Sequence, residues 1–249
     1  MRVVAIVAAG GQGARLGMPV PKQFVELGGR TILDRSVDAL VSCPAIDLVI
    51  VALPADQAAH PPAYLCRADG RVLVVEGGAR RQDSVANAFA AVPADADIVV
   101  IHDAARPFVD RATIERTIEA AAEAGAAIAA LPARDTVKLA DVTETGWIGG
   151  EFGDPLPALV PKRIPAVKRT LPRETIFLAQ TPQAFRRDVL ASAIELGRTG
   201  TEATDEAFLA EQAGATVLLV PGEPTNLKIT TAADLAFARG LLLDRGERV

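Results

Sequence analysis

The chain has 249 residues, half of them apolar, a formal net charge of −5 and two cysteines, Cys43 and Cys66. That length suits one large α/β domain over residues 1–249, with room for a small appendage. The acidic balance argues against a broad nucleic-acid footprint, the isolated cysteines against a zinc site or a disulfide framework, and the lack of a membrane-length apolar run against a membrane span. A cytoplasmic protein with neither nucleic acid nor membrane as partner is the expectation.

Short β-branched runs alternate with Ala/Glu/Arg-rich stretches. Val3–Ala8 reads as a strand, Thr31–Val41 as a helix with Ile32, Val37 and Leu40 on one face, and Asp47–Leu53 and Arg71–Val75 as strands. Asp83–Ala91 reads as a helix that Asp83 or Ser84 would cap. Asp97–Ile101 has almost no polar interruption, which predicts a central strand covered on both faces. Arg111–Ala124 reads as a helix ended by Gly125, and Ala126–Leu131 as a strand. Helices are expected over Arg187–Gly197, Asp205–Gly214 and Ala232–Leu243, and a strand over Ala215–Val220. The alternation predicts an α/β fold, a mostly parallel sheet flanked by helices, with ligands beyond the carboxyl ends of its strands.

One region breaks the pattern. Asp141–Arg173 holds Gly146, Gly149, Gly150 and Gly153, recurring prolines from Pro155 to Pro172, and Lys162, Arg163, Lys168 and Arg169. Such a stretch cannot be a core helix. It reads as an extended arm, over about residues 133–176, or as a loop.

The first strand runs into Gly10-Gly11-Gln12-Gly13-Ala14-Arg15-Leu16-Gly17, and Pro21-Lys22-Gln23-Phe24 follows. Glycines let backbone N–H groups approach phosphate oxygens, and Arg15 and Lys22 supply countercharge. The spacing fits neither the G-x-G-x-x-G fingerprint nor Walker A, which disfavours a nicotinamide-type dehydrogenase. The glycines alone fit a tight strand-to-helix turn equally well; the two cations tip the reading toward a polyphosphate. Gly77-Gly78-Ala79-Arg80-Arg81-Gln82-Asp83-Ser84 is a second loop opening a helix, either a ligand loop or a turn with its cap. In His102-Asp103-Ala104-Ala105-Arg106-Pro107, Asp103 stands past a buried strand. A lone carboxylate there suits Mg²⁺ bridging phosphates, or a structural pair with Arg106. Gln180-Thr181-Pro182-Gln183, Thr204-Asp205-Glu206 and Asn226-Leu227-Lys228-Ile229-Thr230 are each bland alone. The Thr204 motif by itself is a helix cap with an acidic first turn.

Taken in order, these motifs, together with Asp135-Thr136-x-Lys138, resemble the 2-C-methyl-D-erythritol 4-phosphate cytidylyltransferase family over residues 3 to about 235. The resemblance implies a Rossmann-like nucleotidyltransferase domain with a dimerisation arm, working as a homodimer in non-mevalonate isoprenoid biosynthesis. It implies CTP and methylerythritol 4-phosphate as partners and Mg²⁺ as cofactor. It implies Arg15, Lys22 and Lys228 as catalytic cations around the triphosphate. Ala8, Ala9, Gly10, Gly11, Gly13, Gly78, Arg81 and Ser84 would bind CTP. Asp103, Arg106, Thr181 and Thr204 would face the second substrate, and Thr136 and Arg173 would reach the neighbouring subunit's substrate. Asp103 would also meet the metal.

The chemistry agrees with the composition of these motifs. A phosphate monoester is largely dianionic near neutral pH and needs little help from a base. The obstacle is repulsion between two anions, which cations relieve. The stretch Gly146–Thr170 looks inserted against the family pattern, which weakens the Arg173 assignment. A ribitol 5-phosphate cytidylyltransferase is the nearest rival, and a non-catalytic nucleotide-binding module is the rival from another class.

Overall fold

The computed structural model describes residues 1–10, 21–146 and 164–247. Strand β1 (Val3–Ala8) is buried along nearly its whole length. A 3-10 turn at Lys22–Phe24 and a two-rung ladder of β2 (Glu26–Leu27) and β3 (Arg30–Thr31) lead into helix α1 (Ile32–Val41). The Thr31 side chain caps α1 by accepting from Asp34 N at 3.0 Å. Then come β4 (Leu48–Leu53), α2 (Ala55–Ala59), β5 (Val72–Glu76), α3 (Arg81–Ala90), β6 (Ile98–Asp103), α4 (Arg111–Ala124) and β7 (Ala126–Pro132). Gly125, at φ 99°, ends α4 in a backbone region that disfavours a side chain. After β8 (Val137–Gly146) and β9 (Ile164–Leu171) the chain runs through β10 (Phe177–Arg186), α5 (Arg187–Arg198), α6 (Glu206–Gln212), β11 (Val217–Pro221) and α7 (Ala232–Asp244).

Seven strands form one sheet in the order β11-β7-β10-β6-β1-β4-β5. The pairs β6–β1, β1–β4, β4–β5 and β11–β7 are parallel, and β10 is antiparallel to β6. The predicted mostly parallel sheet is therefore present, with β6 at its centre and buried throughout. Alternate residues of each strand feed opposite faces. Val3, Ala5 and Val7 of β1 pack with Leu33, Val37 and Leu40 of α1 and with Ile114 and Ile118 of α4. Val4 and Ile6 pack in the cluster that holds Val85 of α3, Leu190 and Ile194 of α5, and Leu209 of α6. Helix α7 sits on a third cluster through Leu235, Ala238 and Leu242, with Val25, Leu27, Phe108 and Ile229.

Two expectations change. Helix α3 begins at Arg81, so Asp83 is its third residue and not its cap; its carboxylate accepts from Arg80 N at 3.1 Å. Strand β10 was not expected. Pro182 argues against a central strand, and the strand carries buried Gln180, Thr181 and Gln183. Those polar side chains are accommodated because distant parts of the chain bring them partners.

Contacts divide the chain into two units, residues 1–130 with 179–249, and residues 131–178. The second unit, which takes in the arm region, is built on the antiparallel pair β8–β9, in register from Val137 opposite Leu171 and shifted between Leu139 and Ala140 and between Asp141 and Thr145. Lys138 Nζ donates to Thr170 Oγ1 at 2.7 Å, and Arg173 Nη1 donates to the Arg134 carbonyl at 2.8 Å. Leu139, Val167, Phe177 and Leu178 are exposed on this unit.

Candidate functional site

Register fixes which loops meet. Ala8 of β1 lies beside Ala52 of β4 and Asp103 of β6, and Leu53 lies beside Glu76 of β5. The segments after β1, β5 and β6 therefore leave the sheet along one edge, at the carboxyl ends where open α/β sheets bind ligands.

Gly10, Gly77, Gly78 and Ser84 form a close backbone cluster there. The Ser84 hydroxyl oxygen accepts from Gly78 N at 3.0 Å and its proton has the Arg80 carbonyl 3.1 Å away. A Cβ on Gly10 would stand 2.6 Å from Ser84 Oγ, so glycine is required by that close approach. Ala9 N donates to the Ala52 carbonyl at 3.0 Å, and the buried Gln23 donates from Nε2 to the Ala9 carbonyl at 2.9 Å. Gln23 thus ties the turn that carries Lys22 to the end of β1. Gln23 stands in the Pro21–Phe24 motif, where no local pattern signals its buried bond to the Ala9 carbonyl. Gly11, Gly13 and Arg15 lie outside the described residues.

Beside this cluster is a charge network. Asp103, at the end of β6, receives Arg81 Nε at 3.1 Å on one oxygen and Lys228 Nζ at 2.7 Å on the other, with Arg106 Nε 3.8 Å away. Arg81 also donates from Nη1 to Glu206 Oε2 at 2.5 Å. Three cations face two carboxylates, an excess of one positive charge. Burial alone would raise the Asp103 carboxyl, but the charges of Arg81, Lys228 and Arg106 hold it well below the usual carboxylate range. Burial would lower Arg81, and the charges of Glu206 and Asp103 more than reverse this. For Glu206 burial dominates and raises the carboxyl, with Arg81 opposing. Burial likewise lowers Arg106.

A chain of hydrogen bonds sets the position of Asp103. Asp103 N donates to Thr181 Oγ1 at 3.0 Å, and that hydroxyl lies 3.1 Å from His102 Nδ1. The other ring nitrogen of His102, Nε2, is 3.0 Å from the Arg106 carbonyl. A carbonyl only accepts, so Nε2 carries the proton, Nδ1 is bare and the Thr181 hydroxyl donates to it. Burial lowers the His102 pKa to about 4, which keeps the ring neutral in this role.

Arg106, which the resemblance implies as a substrate contact, already serves the Asn226 carbonyl at 2.7 Å and the Ala179 carbonyl at 3.4 Å. The buried Asn226 donates from Nδ2 to the Thr181 carbonyl at 2.8 Å. These bonds fasten the segment carrying Lys228 to β6 and β10. Thr204 is exposed immediately before Asp205, which caps α6 by accepting from Phe208 N at 3.0 Å. Thr136 and Arg173 are exposed on the second unit. Among the expected residues, Ala8, Ala9, Gly10, Gly78, Arg81, Ser84, Asp103, Arg106, Thr181 and Lys228 share the first unit's carboxyl edge or touch its network. Glu206, buried as the partner of Arg81, was missed; an acidic first turn is the ordinary sign of a helix start and hid it.

The chemistry of the donors bears on a divalent metal. Among the described residues no three His, Cys, Asp or Glu side chains gather as a metal cluster. Asp103 is a single carboxylate that already meets Arg81 on one oxygen and Lys228 on the other, so a Mg²⁺ ion there would share that carboxylate with them and take its other donors from phosphate oxygens.

The family model for 2-C-methyl-D-erythritol 4-phosphate cytidylyltransferase matches residues 3–150 and 161–244. The protein named bifunctional enzyme IspD/IspF from Anaeromyxobacter dehalogenans is 47% identical over 242 residues, covering 97% of this chain and 57% of that protein. The chain thus spans little more than half the length of that relative. The 2-C-methyl-D-erythritol 4-phosphate cytidylyltransferase of Acidobacterium capsulatum is 41% identical over 257 residues, covering all of both chains. The crystal structure of the Thermus thermophilus protein of the same name superposes with a TM-score of 0.74 at 36% identity, covering 97% of this chain and 98% of that one.

Proposed function

We propose the reaction of this chain, which belongs to the 2-C-methyl-D-erythritol 4-phosphate cytidylyltransferase family, to be transfer of the cytidylyl group of CTP to 2-C-methyl-D-erythritol 4-phosphate. The products are 4-diphosphocytidyl-2-C-methyl-D-erythritol and pyrophosphate. The observation that carries this reading is the ring of Arg81, Arg106 and Lys228 around Asp103 at the strand edge that also holds the Gly10–Ser84 cluster.

A phosphate oxygen of the alcohol phosphate forms a bond to the α-phosphorus of CTP, and the bond from that phosphorus to the α–β bridging oxygen breaks. Pyrophosphate leaves with the electron pair, and no proton need be taken from the nucleophile. Lys22 and Lys228, with Arg15, balance the charge that gathers on the reacting phosphate oxygens. The loops at Gly10 and Gly78 take the nucleotide, with Ser84 accepting from Gly78 N and holding that loop in place. Asp103 holds Lys228 and offers a carboxylate to the second substrate, beside Thr181 and Thr204. Asp103 is also the residue that would hold Mg²⁺, which when bound supplies charge neutralisation across the phosphates. Thr136 and Arg173 serve the partner subunit's site in a homodimer, for which the exposed apolar side chains of the second unit are the supporting observation.

A cytoplasmic location belongs to the same reading, since Cys43 and Cys66 are both free thiols. No helix of the described residues is long and apolar enough to cross a membrane. The test is pyrophosphate release from CTP with Mg²⁺, run with methylerythritol 4-phosphate and in parallel with ribitol 5-phosphate. Release with the first alone supports the reaction. Release with the second alone reassigns the acceptor, and silence with both in a protein that binds CTP favours a non-catalytic module.

A further inference from the structure

Glu206 is 1% exposed, at the first turn of α6. Glutamate is almost never buried to this degree unless paired. Among the described residues its one hydrogen-bonded partner is Arg81, through Oε2, and Oε1 has none. A solvent-facing glutamate would favour the helix start equally well. Asp205 already caps that helix. Stability is no better an explanation, because an apolar pair of similar volume is often as stable as a buried ion pair. What burial adds is a fixed position. Arg81 is a planar fork, and its two carboxylate partners take different nitrogens, Nη1 to Glu206 and Nε to Asp103. With Nη1 anchored, the plane of the guanidinium is set, and with it the direction from which Nε meets Asp103. Asp103 in turn holds Lys228 Nζ with its other oxygen. The relay crosses four separate parts of the fold: α6, α3, the end of β6, and the segment before α7.

We infer that Glu206 is a positioning residue for the transfer step, holding Arg81 so that Asp103 presents Lys228 to the reacting phosphates. This rests on the reaction proposed above. Glu206 is buried, and the Arg81 side chain, which the resemblance implies for CTP binding, is committed instead to Glu206 and Asp103, so loss of Glu206 acts on the rate of the bound complex more than on binding.

The experiment compares wild type, Glu206→Gln and Glu206→Asp in the pyrophosphate assay. Turnover is normalised to CTP-binding sites, so that a misfolded fraction does not count. Glutamine keeps the length and loses the charge; aspartate keeps the charge and falls a methylene short of Arg81. In both, kcat is expected to fall by about tenfold to a hundredfold, the scale of a small misplacement of reacting groups, with KM for CTP changed less than about twofold. In an Arg81→Gln background, Glu206→Gln is expected to add less than about a twofold further loss, because the relay is already cut. A wild-type kcat per site in both single variants overturns the inference, as does an equal further loss in the Arg81→Gln background. Wild-type protein silent with both alcohol phosphates overturns the reaction instead. The positioning is then read from the Arg81 Nε–H NMR signal, identified by its loss in Arg81→Gln. That signal is expected to shift or broaden in Glu206→Gln, and an unchanged signal overturns the inference.

Discussion

Lys228 Nζ lies 2.7 Å from Asp103 Oδ2, joining residues far apart in the chain across the carboxyl edge of the sheet. The same carboxylate receives Arg81 on its other oxygen, and among the described residues Asp103 is the one partner of Lys228 Nζ, which has three donors in all. A cation held in this way is oriented before any substrate arrives, which is the condition under which it contributes most to a charged transition state.

Substituting Lys228→Ala is therefore expected to lower kcat by about a hundredfold to a thousandfold, the cost of one preorganised donor. Lys22→Ala is expected to fall in the same range. Pyrophosphate release under saturating CTP measures both, and wild-type turnover in either variant removes that lysine from the catalytic set.

Gly10→Ala is expected to destabilise the protein by about 1–3 kcal/mol and to weaken CTP binding, because the new methyl overlaps Ser84 Oγ. The clash is with one atom. Without that oxygen the nearest atom would be Ser84 Cβ, at an ordinary contact distance of 3.5 Å. Ser84→Ala alone forfeits the hydrogen bonds to Gly78 N and the Arg80 carbonyl, but in that background Gly10→Ala should cost little further stability in urea denaturation, while CTP affinity stays low. An equal cost of Gly10→Ala with and without the Ser84 hydroxyl would show that the strain lies elsewhere.

His102 has a pH signature. Its pKa is lowered from 6.5 to about 4 in the fold by burial, so between these values the unfolded chain binds a proton that the folded chain does not. Stability then rises with pH across this window and is lost on acidification from 6.5 to 4, amounting to about 3 kcal/mol. Asp103 behaves differently. Its carboxyl is depressed, so its contribution is intact above the ordinary carboxylate value and fades only below it. The gap between denaturation midpoints at pH 7 and pH 4.5 should shift for His102→Gln by the lost His102 contribution, since glutamine has no proton to gain there while the burial-raised Glu206 carboxyl acts in the opposite sense in both proteins. A variant with the wild-type pH dependence assigns the acid loss to another group.

If Arg173 serves the partner's site, Lys22→Ala and Arg173→Ala protomers should complement each other. Each mixed dimer would carry one intact site, so a random equal mixture recovers about a quarter of wild-type turnover from two nearly inactive parents in a two-fold symmetric dimer. No recovery, with mixed dimers shown to form, places Arg173 in the site of its own chain.

Several elements were legible because their signals are local. The β-branched run at Val3–Ala8 and the uninterrupted Asp97–Ile101 stretch announced strands, and Gly125 announced the end of α4. Gly10 and Gly78 marked close backbone approach. Strand β10 was not legible, since Pro182 and the polar Gln180, Thr181 and Gln183 argue against a central strand until Gln180 Nε2 is seen to meet the Asn226 carbonyl, the Thr181 hydroxyl His102, and Gln183 Nε2 Asp205. Glu206 was hidden for the same reason: the Thr204-Asp205-Glu206 run is explained in full by a helix start.

By itself the sequence determined the α/β alternation, the strands that carry the site at their ends and the residue types gathered there, because periodicity and loop chemistry act over a few residues. Only the tertiary structure decided that Asp103 is shared among Arg81, Arg106 and Lys228, that His102 is a buried neutral link to Thr181, and that Arg81 is anchored by Glu206. Those are matters of distance and burial between segments far apart in the chain. The strength of a charge pair and the state of a buried proton depend on the separation and the dielectric that folding creates.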